Sequence, residues 1–231
     1  MALRKILFLF LMFMVLSGCD KGLTFDEYMK KGEDYASQGK NEKAIEAYKK
    51  AVKIRSGDAN AHYALGCLYF KELVEMNHQQ AFNSNEVEEQ KKKRRKLTES
   101  MTHEYKQVLD IDTANWNARY MIATDLYNNQ HYQEALDEYK KVIKYNPQYA
   151  VAYSMLAESQ LTVGAYADAF KNIELAYKLD SDTENYLYSL AKAYYSAKDY
   201  NKGFELQTRL KDMKSSYYER LQSFKYSNRI P

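Results

Sequence analysis

Proline and glycine are scarce in this chain, two and eight among 231 residues. That scarcity excludes collagen-like, linker-rich and all-β architectures, which need many tight turns. Two cysteines, Cys19 and Cys67, cannot build a disulfide framework. The four histidines are His62, His78, His103 and His131. No pair of them has helical metal-ligand spacing, and no His-Glu-x-x-His occurs. A glycine-rich phosphate loop and a Gly-x-Ser-x-Gly elbow are both missing. One-signed charge is lacking as well: the formal net charge is +3, and two of those charges are Arg4 and Lys5 near the N-terminus. A mature chain near +1 carries no electrostatic footprint for nucleic acid or an acidic substrate. What the sequence does have is tyrosine, 23 residues against nine Phe and one Trp.

The first 18 residues read as a targeting segment. Arg4 and Lys5 precede an unbroken apolar run, Ile6–Leu16, whose eleven residues suit a signal-peptide core. A bilayer span needs about 20. Leu16-Ser17-Gly18-Cys19 follows and resembles the bacterial lipobox. The resemblance implies cleavage before Cys19, a diacylglyceryl group on its thiol and an address in the cell envelope, at the inner or the outer membrane. Apart from that covalent lipid no cofactor is expected. The alternatives are an uncleaved helical anchor and an ordinary cleavage site that happens to precede Cys19. Residues 19–24 would then be a short tether, with residues 20–24 reaching at most about 18 Å.

An internal repeat organises the rest. Small residues recur at Gly32, Gly66, Ala123, Ala157 and Ala191, and a second small site recurs twelve residues on, at Ala44, Ala135, Ala169 and Gly203. Four residues further are Tyr48, Tyr139 and Ile173, then Ala51, Val142 and Ala176. Repeats therefore begin near Phe25, Ala59, Trp116, Ala150 and Glu184, at intervals of 34, 57, 34 and 34. Segments such as Gly32-x-x-Tyr35…Ala44-Ile45-x-x-Tyr48-x-x-Ala51 resemble the tetratricopeptide repeat, a helix–turn–helix unit of that period. The resemblance implies an all-α helical solenoid of about five repeats, 25–58, 59–115, 116–149, 150–183 and 184–214. A capping helix over 215–231 would follow, opened by a Ser216-x-x-Glu219 capping box.

The 57-residue interval places 23 extra residues in the second repeat, about 71–98. This stretch has neither proline nor glycine. Its first helix is expected to run on to about Phe82, Asn83-Ser84-Asn85 to turn, and the second helix to begin near Glu86. The product would be a two-helix spur. It carries Lys91-Lys92-Lys93-Arg94-Arg95-Lys96, a run that suits anionic headgroups or nucleic acid in isolation. Glu88 and Glu89, four residues ahead of Lys92 and Lys93, favour a solvated helix laced with ion pairs instead.

With no catalytic constellation in view, the expected activity is binding. In the resembled family the inner helices line a concave groove that takes peptides. Register places Asn60, Tyr63, Phe70, Asn117, Tyr120, Tyr127, Glu158, Leu161, Asn185, Tyr188, Lys192 and Tyr195 on that face. Asparagine amides at one recurring position can pair with peptide backbone, and tyrosines offer rigid contact area plus a hydroxyl. Other tyrosines, Tyr48, Tyr105, Tyr139 and Tyr166 among them, fall where helices pack. The expected function is a membrane-anchored scaffold that binds proteins or peptides, not nucleic acid and not an enzyme. A small-ligand or glycan binder using the tyrosines is the alternative, and an enzyme subunit with its site in the groove is a third reading.

Overall fold

The structure is a computed structural model and describes residues 23–76 and 84–230. The targeting segment, the proposed lipid site at Cys19, His78 and the expected helix end at Phe82 lie outside these residues. Among the described residues there are only helices: α1 (Phe25–Ser37), α2 (Asn41–Ile54), α3 (Ala59–Met76), α4 (Ser84–Ile111), α5 (Trp116–Asn128), α6 (Tyr132–Tyr145), α7 (Ala150–Thr162), α8 (Tyr166–Leu179), α9 (Glu184–Ser196), α10 (Tyr200–Asp212) and α11 (Ser216–Ser227). All but the last pack chiefly on their sequence neighbours, and α11 packs more on α9 than on α10. In addition α5 touches α7 and α9 touches α11, so the odd-numbered helices form the inner layer.

Local chemistry sets the helix ends. Thr24 and Glu27 form a reciprocal capping box at α1, with the Thr24 amide donating to Glu27 Oε2 at 2.7 Å. Asn115 accepts from the Ala118 amide at α5, and Asp199 from the Lys202 amide at α10. The turns after α1, α5, α7 and α9 share one design. A residue with left-handed backbone follows the helix, and the next amide bonds to the carbonyl five residues back, as Lys40 does to Tyr35 at 2.9 Å. Glycine fills that place at Gly39 (φ 71°) and Gly164 (φ 82°), but Gln130 (φ 65°) and Lys198 (φ 63°) carry a Cβ there. Gln130→Gly and Lys198→Gly are each expected to stabilise the fold by about 0.5–1 kcal/mol, the relief of left-handed strain outweighing the added chain entropy. Chemical denaturation of each variant measures this, and a loss of stability would refute it.

Packing follows the small–large register. A Cβ added at Gly32 would lie 2.7 Å from the Tyr48 ring, and one at Gly66 would lie 2.7 Å from the Tyr105 ring. Ala123 faces Tyr139 and Ala157 faces Ile173 in the corresponding cores. A small residue on the inner helix thus lets a ring from the outer helix lie against its backbone. The same pairing survives the insertion, because Gly66 still meets Tyr105 across the spur.

The second helix of the insertion begins close to the expected start near Glu86: α4 opens at Ser84, so Ser84 and Asn85 belong to the helix rather than to the turn, since nothing between 84 and 98 breaks a helix. Residues 85–96 are exposed except for half-buried Gln90. Lys91 pairs with Glu88 at 2.8 Å and Arg95 with Glu99 at 3.3 Å, so the pairs differ from those that i,i+4 spacing from Glu88 and Glu89 suggests. The last cap also differs. Ser215, not Ser216, caps α11 by accepting from the Tyr217 amide at 3.1 Å, and its hydroxyl donates to Glu184 Oε2 at 2.6 Å. Burial of Ser215 against α9 selects it over exposed Ser216. Leu221 is fully buried, with Tyr217 and Phe224 packed against the same core, so α11 closes the last repeat.

Candidate functional site: the inner face

The recurring asparagines open three of the inner helices, α3, α5 and α9, with Val151 at the same place in α7. Asn60 and Asn185 are exposed and Asn117 is half-buried in the first turns of α3, α9 and α5. Behind them the tyrosines are anchored by other rings. Tyr63 lies 5.8 Å from Tyr105, and Tyr127 meets Tyr132 edge-on at 5.4 Å. Tyr120 packs edge-on against Tyr149 at 5.3 Å, and Tyr149 lies 4.8 Å from Trp116. This Trp116–Tyr120–Tyr149 cluster joins α5 to the start of α7. Tyr149 is a site-lining ring that repeat register alone does not indicate, because it stands in the connecting turn.

Burial pushes the Tyr63 hydroxyl up to about 12, and it also raises Tyr120 and Tyr149. These phenols stay neutral at physiological pH, so they offer hydrogen bonds rather than nucleophiles.

Tyr195 does not belong to the groove. It is 1 % exposed, and its ring lies against the backbone of α10 at Gly203, where an added Cβ would come within 2.7 Å. Its hydroxyl donates to Gln207 Oε1 at 2.5 Å, and the Lys225 ammonium sits 4.9 Å from its ring. In the fifth repeat Gln207 stands where other repeats have a bulky residue. The missing ring is supplied from α9, and Gly203 makes room for it. Tyr188 remains half-buried, but α11 leans on it through Tyr217 at 5.3 Å and Arg220 at 5.4 Å. The open part of the inner face is therefore on α3, α5 and α7, and on α9 only beyond Tyr188, around Lys192.

Two concavities flank that face. The first lies at the base of the spur and holds about 390 Å³. Phe70 and Val74 of α3, Arg94 and Met101 of α4, and Met121 and Asp125 of α5 line it. Burial raises the Asp125 carboxyl above its ordinary range, against hydrogen bonds from Thr102 and Asn129, both at 3.0 Å. Phe70 lies within the thirteen residues common to the inner helices, and Val74 and Arg94, from the extensions of α3 and α4, build the cleft around it, an arrangement that repeat periodicity does not indicate. The second concavity, about 740 Å³, lies between α7, α8 and α9 and brings Glu158, Leu161 and Lys192 together. Tyr166, expected to pack, stands at its rim 69 % exposed. Among the described residues, no group of three or more His, Cys, Asp or Glu side chains could hold a metal ion, and no helix is long and apolar enough to cross a membrane.

Small–large helix pairs packed in tandem form a helical solenoid with the tetratricopeptide-repeat fold. Residues 32–72 match the family model described as TPR repeat, and residues 120–185 match that described as tetratricopeptide repeat. No curated protein matches the sequence. Solved structures agree in fold. The chain is 17% identical to a MamA fragment from Desulfovibrio magneticus RS-1, with a TM-score of 0.66 over 87% of this chain and 98% of that one. It is 20% identical to pilF of Pseudomonas aeruginosa, with a TM-score of 0.61 over 85% of this chain and 75% of that one. YrrB, described as a TPR protein with an unusual peptide-binding site, is 16% identical, with a TM-score of 0.64 over 86% of this chain and 91% of that one.

Proposed function

We propose that this chain is a lipid-anchored adaptor of the bacterial envelope that holds protein or peptide partners against its inner face. The observation that carries the reading is the inner face itself, where Asn60 and Asn117 stand beside ring-anchored Tyr63, Tyr120 and Tyr127 on successive inner helices. Rigid rings present contact area with little side-chain entropy left to lose, and the amides can satisfy an extended backbone. The peptide-binding site in the description of YrrB, on the same fold, supports it.

A photocrosslinking residue placed at Asn60 or Asn117, in cells, is expected to capture discrete protein partners. The same residue at outer-face Ile54 or Leu175, both exposed, is expected to capture little. Capture from the outer positions alone would overturn the assignment of the face.

The anchor rests on Leu16-Ser17-Gly18-Cys19. Two or three acyl chains, at about 0.8 kcal/mol per buried CH₂, hold a protein at a membrane where one chain is marginal. Cys19→Ala is expected to abolish metabolic labelling with a lipid precursor and to shift the protein out of the membrane fraction. Undiminished labelling would show that the thiol is not the acceptor.

A further inference from the structure

The 740 Å³ concavity between α7, α8 and α9 is the size of a ligand pocket rather than a packing flaw. Its wall is apolar, with Leu161 from α7, Phe170 and Ile173 from α8 and Ala193 from α9. The floor is firm: Ile173 is 3 % exposed, and Phe170 stands edge-on to buried Tyr194 at 4.9 Å. At the rim the Tyr166 ring is left in water, although apolar surface of that size gains by being covered.

Charge at the edge is specific too. The Lys192 ammonium lies 5.3 Å from the Tyr188 ring and 5.2 Å from the Phe224 ring, and it forms no ion pair among the described residues. Lys171, on the opposite wall, has only a 3.8 Å contact with Asp168 between two well-exposed side chains. Glu158 is the one carboxylate on the lining. Two cations held beside an apolar floor, one of them fixed by rings, complement an occupant that is apolar at its centre and anionic at its edge.

We propose that this cavity takes a bulky apolar side chain, Phe or Leu, of a partner segment that carries an Asp or Glu about one helical turn away, with the carboxylate seated on Lys192. The proposal rests on the inner face being the binding surface. Leu161 and Glu158 lie on α7 and Lys192 on α9, both inner helices, so a segment lying along that face can drop one side chain between them. A free anionic amphiphile has the same two chemical features. The open groove on a peptide-sized face favours the segment.

The test uses fluorescently labelled alanine-based helical peptides and the full mature chain, read by anisotropy. One peptide carries a central Phe with Glu four residues on, a second replaces Phe by Gln, and a third replaces Glu by Lys. The first is expected to bind about tenfold or more tightly than either of the others. Lys192→Glu should reverse the preference toward the Lys peptide, and Ala193→Phe, which fills the cavity, should abolish binding of all three with helicity retained by circular dichroism. No binding of the first peptide, binding that survives Ala193→Phe, or indifference to Lys192→Glu overturns the proposal. Displacement of the first peptide by palmitate at comparable affinity assigns the cavity to a lipid amphiphile and also overturns it. Crosslinking from Asn60 and Asn117 reports separately on the inner-face reading, because neither residue touches this cavity. Partner capture there that persists in Ala193→Phe, with the peptides failing, would sink the cavity and leave the scaffold standing.

Discussion

Replacing Tyr105 by alanine is expected to lower the unfolding free energy by about 3–5 kcal/mol, the range for truncating a large aromatic core side chain. The ring is fully buried between α3 and α4, with Leu65, Tyr69 and Met101 in the same core. It leans on Tyr63 at 5.8 Å, and its hydroxyl reaches Cys67 Sγ at 3.6 Å. Its face lies where a Gly66 side chain would be. Gly66→Ala should therefore be destabilising as well, by about 1–3 kcal/mol through overpacking. The two changes are coupled. With the ring gone, the new methyl no longer clashes and fills part of the void, so the double variant should lose clearly less than the two single losses combined. Urea denaturation of the four proteins measures the cycle. Strict additivity, or a Tyr105→Ala cost below about 1 kcal/mol, would mean that the ring does not lie against that helix.

That coupling also explains how much of the fold is legible in the sequence. Small and large residues are different in kind, and their register sets which helix faces which, so Gly32 with Tyr48 and Ala123 with Tyr139 announce their own contacts. The helix pairs follow from the recurrence. The inner face follows less well, because register names a direction and not what else stands there. Tyr195 has the register of a groove residue, but the glycine at 203 and the glutamine at 207 turn it inward. Both departures from the pattern are visible in the chain; their joint effect is a matter of packing. Tyr166 errs the other way, with the register of a packing residue and an exposed ring. The spur-base cleft, with Phe70 and Asp125, depends on how two extended helices diverge from α5, and no periodicity records that angle.

At the root of the same spur, His62→Ala is expected to cost about 3 kcal/mol or more, because it strands a partner of a buried pair. His62 lies in the first turn of α3 and is 4 % exposed. Its Nδ1 is 2.6 Å from Glu104 Oε2 in α4, and its Nε2 is 3.0 Å from the Ser56 carbonyl oxygen. A carbonyl only accepts, so Nε2 carries a proton. A further proton lies between Nδ1 and the carboxylate, whichever atom holds it. Glu104→Gln keeps every group satisfied by a different route: the amide donates to Nδ1 while Nε2–H still serves Ser56. It should cost less than about 1 kcal/mol, whereas Glu104→Ala should approach the His62→Ala loss. Equal destabilisation by Gln and Ala at 104 would show that charge rather than hydrogen-bond count holds the pair. The consequence reaches the cleft above. Glu104 sits one turn from Met101, and the pair fixes how α4 leaves α3. His62→Ala should therefore raise hydrogen exchange in α4 around Thr98 and Met101, the cleft-lining turns, before it does so in α8 or α10.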